Sequence, residues 1–169
     1  MRTNMIDRRL LLGGAGVLAG LAALRLTQGD DAVEAAARFE IEKSDDEWRR
    51  LLSKAQYEVL RLHRTEPAGS SALNHEHRKG TFVCAGCELP LFSSDAKYDS
   101  KTGWPSFHSP LPNAIGTAPD RSLFMLRTEV HCRRCGGHLG HVFEDGPPPT
   151  GLRYCMNGLA LKFVPDAPA

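Results

Sequence analysis

Phe82-Val83-Cys84-Ala85-Gly86-Cys87 and Val130-His131-Cys132-Arg133-Arg134-Cys135 share one local pattern: a short run of strand-forming residues ending in a turn that carries two thiols. A CxxC turn brings two thiolates within a few ångströms, and two such turns can complete a tetrahedron of sulfur around zinc, with bonds of about 2.3 Å. Gly86 within the first turn, and Gly136 and Gly137 after the second, offer the backbone freedom that tight metal-binding turns need. Residues 88–131 separate the pairs, a span longer than that of a simple zinc ribbon. The metal is therefore expected to cross-link distant parts of one fold. Four protein ligands leave no open position, which makes such a site structural. Two disulfides or a redox-active CxxC are the competing readings.

Outward from these turns the texture is that of short strands. Thr81-Phe82-Val83, Ser122 to Val130, His141-Val142-Phe143, Leu152 to Asn157 and Leu159 to Val164 are rich in β-branched, aromatic or aliphatic residues and are separated by Gly, Pro, Asn and Asp. This half of the chain should be mainly antiparallel β, with Pro147-Pro148-Pro149 in a loop. Before it, Trp48, Leu51, Leu52, Ala55, Val59 and Leu60 recur at helical spacing, and Ser44 with Glu47 forms a capping box. One amphipathic helix over residues 44–63 is expected. Residues 65–80 read as polar loop.

At the amino terminus, Arg8-Arg9 stands directly before Leu10-Leu11-Leu12 and an apolar, Gly- and Ala-rich run to Leu24. This is the outline of a twin-arginine export signal. The run falls short of the roughly 20 residues that span a bilayer, so a permanent anchor is disfavoured. An amphipathic helix with a chance Arg pair is the plainer alternative. The expected division is residues 1–38 as signal and linker and residues 39–166 as the folded domain. Contact with a membrane would then be transient, through the signal, and the destination periplasmic or otherwise extracytoplasmic. A route that carries folded proteins would suit a domain that loads zinc before export.

In 169 residues, 21 Lys and Arg oppose 20 Asp and Glu, for a formal charge of +1. That balance argues against a nucleic-acid partner. With four cysteines paired, Cys155 is left over. Alternation along a strand puts Arg153, Cys155 and Asn157 on one face, so a guanidinium would favour the attacking thiolate. An isolated strand Cys is also an ordinary packing residue. His138 and His141 have the side chain suited to proton delivery near neutral pH, although either could be a metal ligand or a surface residue. Gly103-Trp104-Pro105-Ser106-Phe107 could equally be aromatic core.

Together these segments, with Lys97-Tyr98-Asp99-Ser100, His138-Leu-Gly-His141-Val-Phe, Asp145-Gly-Pro and Thr150-Gly-Leu-Arg153-Tyr-Cys155 followed by Asn157, resemble the B-type methionine sulfoxide reductases, which act on the R epimer. The resemblance runs from about Trp48 to Val164. It implies two antiparallel sheets with amino-terminal helices, a structural zinc on Cys84, Cys87, Cys132 and Cys135, and Cys155 as nucleophile. It further implies that His138, His141 and Asn157 assist the chemistry, that Trp104 receives the substrate methyl, and that Phe107 and Arg153 complete the substrate pocket. Oxidised proteins would be the substrates of a monomeric enzyme. Many relatives carry a resolving cysteine just before Gly-Trp-Pro-Ser-Phe, where this chain has Thr102. Its reductant would accordingly be an external thiol, thioredoxin-like or of low molecular weight. The rival readings are a non-catalytic zinc-ribbon binding module and a thiol redox sensor.

Overall fold

The computed structural model describes residues 39–122 and 125–167; the expected export signal lies outside the described residues. The strands form two antiparallel sheets. In the three-stranded sheet, β1 (Gly80–Cys84) lies between β2 (Pro90–Ser93) and β9 (Leu161–Pro165). The six-stranded sheet has the order β3-β4-β8-β7-β6-β5, from β3 (Lys97–Tyr98), β4 (Ser106–Phe107), β8 (Arg153–Met156), β7 (His138–Phe143), β6 (Arg127–Cys132) and β5 (Ile115–Asp120). Mainly β architecture with amino-terminal helices is therefore as the sequence indicates. Among the described residues, no helix is long and apolar enough to cross a membrane.

The single helix expected over residues 44–63 is in fact two, α1 (Asp45–Leu51) and α2 (Lys54–Leu60). Ser44 and Glu47 close the anticipated capping box, but Ser53 and Gln56 close a second one. Leu52 takes an extended conformation between them. The second box offers the backbone a fresh helix start, so the chain turns and Leu51 is left 61% exposed. Trp48, Tyr57, Val59 and Leu60 remain buried. Arg61, just after α2, donates to the Cys135 carbonyl at 2.9 Å and stacks over Trp48, tying the helices to the second cysteine turn.

The aromatic core takes in one residue of the expected substrate pocket. Phe107 is fully buried, stacked on Phe92 with centroids 4.3 Å apart and set edge-on to Phe82 at 4.9 Å. It presents no surface to solvent. It supports the site from beneath, because its neighbour Ser106 pairs with Cys155 across β4 and β8.

Candidate active site

The two cysteine turns have the same hydrogen-bond pattern. In the first, the Glu88 N–H donates to the Cys84 carbonyl at 2.8 Å and the Cys84 N–H to the Leu89 carbonyl at 2.9 Å. In the second, Gly136 donates to Cys132 and Cys132 to Gly137, both at 2.9 Å. The left-handed position in each is the residue after the second Cys: Glu88 at φ 60° and Gly136 at φ 66°. Gly86 is not in that region, so its role differs from the one read from sequence. The four Sγ atoms all lie within 4.8 Å of one another, with Cys87 and Cys132 3.5 Å apart and Cys84 and Cys135 3.8 Å apart. A tetrahedron with 2.3 Å metal–sulfur bonds has edges of about 3.8 Å, so the cluster fits a metal ion. These separations are far from the roughly 2.05 Å of a disulfide. Hydrogen bonding within the cluster holds the Cys132 thiol low, chiefly through Cys135, and pushes Cys84 up, chiefly through Cys132.

Cys155 sits in a continuous row across the larger sheet. Ser106 of β4 pairs with Cys155 of β8, Cys155 with His141 of β7, His141 with Glu129 of β6, and Glu129 with Ala118 of β5. Directly paired residues project from the same face, so Cys155 has an imidazole as its cross-strand neighbour. The pairing is close: a Cβ on Gly140 would lie 2.1 Å from the Cys155 carbonyl oxygen. Strict alternation would put His138 and His141 on opposite faces. A β-bulge, where the register shifts between Val130 and His131, brings the rings to 5.4 Å.

A carboxylate fixes each imidazole. His141 Nε2 is 2.7 Å from Asp120 Oδ2, and His138 Nδ1 is 2.7 Å from Glu129 Oε1. An ionised carboxylate only accepts, so the protons are placed on His141 Nε2 and His138 Nδ1, leaving His141 Nδ1 free to titrate. Burial pulls His141 below its ordinary value, with Asp120 opposing. Asp120 is itself held well below the carboxylate range, first by the Ser122 N–H and then by His141. Burial raises Glu129, but hydrogen bonds from His138 and His63 outweigh it and leave the carboxyl low.

On the other side of the thiol, Thr102 Oγ1 is 3.8 Å from Cys155 Sγ, and hydroxyl contacts continue through Ser100 (2.8 Å) to buried Ser106 (2.7 Å). Trp104 lies between Thr102 and Pro105, whose carbonyl accepts the Met156 N–H at 2.9 Å. The Trp104 indole donates to the Glu66 carbonyl at 3.0 Å. Asn157 reaches the site indirectly: it is buried, accepts the Glu66 N–H at 3.0 Å, and donates its amide to the Leu139 carbonyl at 3.1 Å. The buried Glu66 carboxylate takes the N–H groups of Gly158 (2.6 Å) and Leu159 (3.0 Å). Asn157 and Glu66 thus lock the end of β8 to the segment that holds Trp104. Arg153 is engaged by Asp145 through two 2.8 Å bonds and stacks on Phe143.

The structure therefore brings together Cys155, His138, His141 and Thr102, and adds Asp120, Glu129 and Glu66, which sequence motifs do not single out. Asp120 and His141 are 21 residues apart and meet only through strand register.

A thiol paired with a carboxylate-oriented imidazole, on a β scaffold whose four-cysteine cluster is suited to a metal ion, has the parts of a thiol-dependent catalyst. Comparison with known proteins narrows the class. A family model described as the SelR domain matches residues 52–165. The chain is 52% identical over 126 residues to "Peptide methionine sulfoxide reductase MsrB" of Leptospira interrogans, an alignment covering 74% of this chain and 96% of that one. It is 56% identical over 124 residues to the protein of the same name from Bradyrhizobium diazoefficiens (73% and 89% covered), and 50% identical over 128 residues to that from Methanosarcina barkeri (75% and 90%). The chain belongs to the SelR-domain family, that of the MsrB peptide methionine sulfoxide reductases.

Proposed function

We propose that this protein is a peptide-methionine (R)-S-oxide reductase that works through a Cys155 sulfenic acid and returns oxidised proteins to their methionine form. The observation that carries the reading is the pairing of Cys155 with His141 in the sheet row, with Asp120 behind the imidazole and Thr102 beside the sulfur. His141 Nδ1 takes the thiol proton and delivers it to the sulfoxide oxygen, which is a poor leaving group until protonated. The Cys155 sulfur attacks the sulfoxide sulfur, the sulfur–oxygen bond of the substrate breaks, and the oxygen ends on Cys155. Cys155 is oxidised by two electrons and methionine is released. Two external thiols then reduce the sulfenic acid, giving a disulfide and water. Trp104, pinned by Glu66, forms one wall for the substrate methyl, and that one-sided wall selects the epimer. Cys84, Cys87, Cys132 and Cys135 would hold zinc, which would supply a structural cross-link when bound.

An epimer-resolved assay on the purified domain tests the activity: the R epimer is consumed and the S epimer persists. With one equivalent of substrate and no added thiol, one methionine is released per chain and dimedone labels Cys155. Thr102→Cys diverts this sulfenic acid to a disulfide between the introduced thiol and Cys155, because the side chain at position 102 already touches the sulfur. In that variant dimedone labelling falls and a dithiol reductant recycles the enzyme faster. A disulfide between Cys155 and a cluster cysteine, formed in the native protein as fast as methionine appears, would overturn the recycling scheme.

For the amino terminus, the Arg8-Arg9 pair and the apolar run after it support export by the twin-arginine route to an extracytoplasmic compartment. Residues 1–38 are expected to carry a reporter outward, and Arg8→Lys with Arg9→Lys to retain it. Export that ignores the arginine pair would assign the signal to the general secretory route.

A further inference from the structure

His63, Glu129 and His138 come together on the six-stranded sheet's catalytic face, from the turn after α2, from β6 and from β7. His63 Nδ1 lies 3.1 Å and His138 Nδ1 2.7 Å from the same carboxylate oxygen, Glu129 Oε1. All three ligand atoms are within 4.8 Å of one another. The imidazoles are stacked, with centroids 4.9 Å apart and planes 25° apart. His63 is presented from the left-handed region at φ 55°, an uncommon conformation for a non-glycine residue. His131 adds a third imidazole, 3.9 Å from the other Glu129 oxygen. Among the described residues, His138 Nε2 has no hydrogen-bond partner, so polar contact holds that ring only on its Glu129 side.

Two imidazoles aimed at one carboxylate oxygen must each bring a proton to it. A divalent cation replaces both protons, accepts both nitrogen lone pairs and retains the carboxylate. Two nitrogens and one oxygen suit an imidazole-binding transition ion and not calcium or magnesium, which take oxygen ligands. Three protein ligands leave coordination positions open, unlike the closed tetrathiolate. The His63 side chain is 59% exposed, which provides entry from solvent.

We propose that His63, Glu129 and His138 form a second metal site, distinct from the four-cysteine cluster. It binds a divalent ion of the zinc, cobalt or nickel class, and its occupation inhibits the reductase by drawing His138 into a coordination shell beside His141, whose ring lies 5.4 Å away. The inhibitory part rests on the reductase reading; the binding part does not.

The test uses the full chain with its tetrathiolate site already loaded with zinc, titrated with Co2+ alone. Visible absorption and equilibrium dialysis should show one further ion per chain with nitrogen and oxygen ligand-field bands and no sulfur charge-transfer band. His63→Ala and Glu129→Gln should each lose that ion and keep the zinc. Methionine release is then measured in a single turnover without added thiol, since thiols chelate cobalt. Release should fall at least tenfold on saturation of the native chain, whereas the rate of His63→Ala should be the same with and without cobalt. Absence of the second ion, its retention in His63→Ala, or appearance of sulfur charge transfer as the only signal would overturn the site. Binding with undiminished methionine release would overturn the inhibition. A chain that releases no methionine before cobalt is added would refute the reductase reading and leave the binding result standing.

Discussion

Cys155→Ser is expected to reduce methionine-R-sulfoxide turnover to background while leaving metal content and thermal unfolding essentially unchanged. A hydroxyl is close in size to a thiol, and the position is only half-buried on the face of β8, so little packing is disturbed. The chemistry is lost because serine oxygen cannot accept the sulfoxide oxygen and be recycled by thiols as sulfur can. The loss should far exceed the roughly 10²- to 10⁴-fold associated with a general acid–base group, since the atom that changes oxidation state has gone. Measurable turnover in this variant, by separation of the released methionine, would remove Cys155 from the mechanism.

The second large effect is on stability. Cys84→Ser or Cys132→Ser removes one corner of the sulfur tetrahedron, and both positions are fully buried. Structural zinc sites contribute on the order of 10 kcal/mol of apparent binding energy, comparable with the roughly 5–15 kcal/mol total stability of a domain. These variants should lose bound metal and either unfold or melt far below the native protein, in contrast to Cys155→Ser. Metal analysis and circular dichroism on the same samples check both halves. A metal-free variant that melts with the native chain would show that the cluster does not hold the fold together.

The contrast between these variants follows from features legible in the sequence. Paired thiols announce a cluster by spacing alone, and the repeated turn pattern survives into matching hydrogen bonds at Cys84 and Cys132. The strands β7, β8 and β9 are readable from their runs of β-branched and aromatic residues. β5 is not, because Gly116 and Pro119 interrupt its apolar pattern, and its place comes instead from six paired positions with β6. The split between α1 and α2 is hidden because Ser53 and Gln56 can lie on a continuous helix as well as begin one. At the site, the residues in compact motifs are legible, while Asp120, Glu129 and Glu66 are not. Their importance depends on which distant strand or loop they face, and that is set by register and by a bulge no local pattern specifies. Phe107 and Trp104 share a motif but not exposure: Trp104 lies before β4 and is partly exposed, while Phe107 is fully buried in the aromatic core.

The twin turns also bear on how the molecule assembles. Cys84 ends a strand of the small sheet and Cys132 a strand of the large one, and the two sheets share no strand. Each turn is local, closed by hydrogen bonds between residues no more than five apart, so each can form before the sheets meet. A metal ion captured by one turn would then present half-filled coordination to the other. The meeting of two remote hairpins, which otherwise costs loop-closure entropy with little early return, would become the completion of a coordination shell. In this role an ion would guide the folding route as well as secure its endpoint.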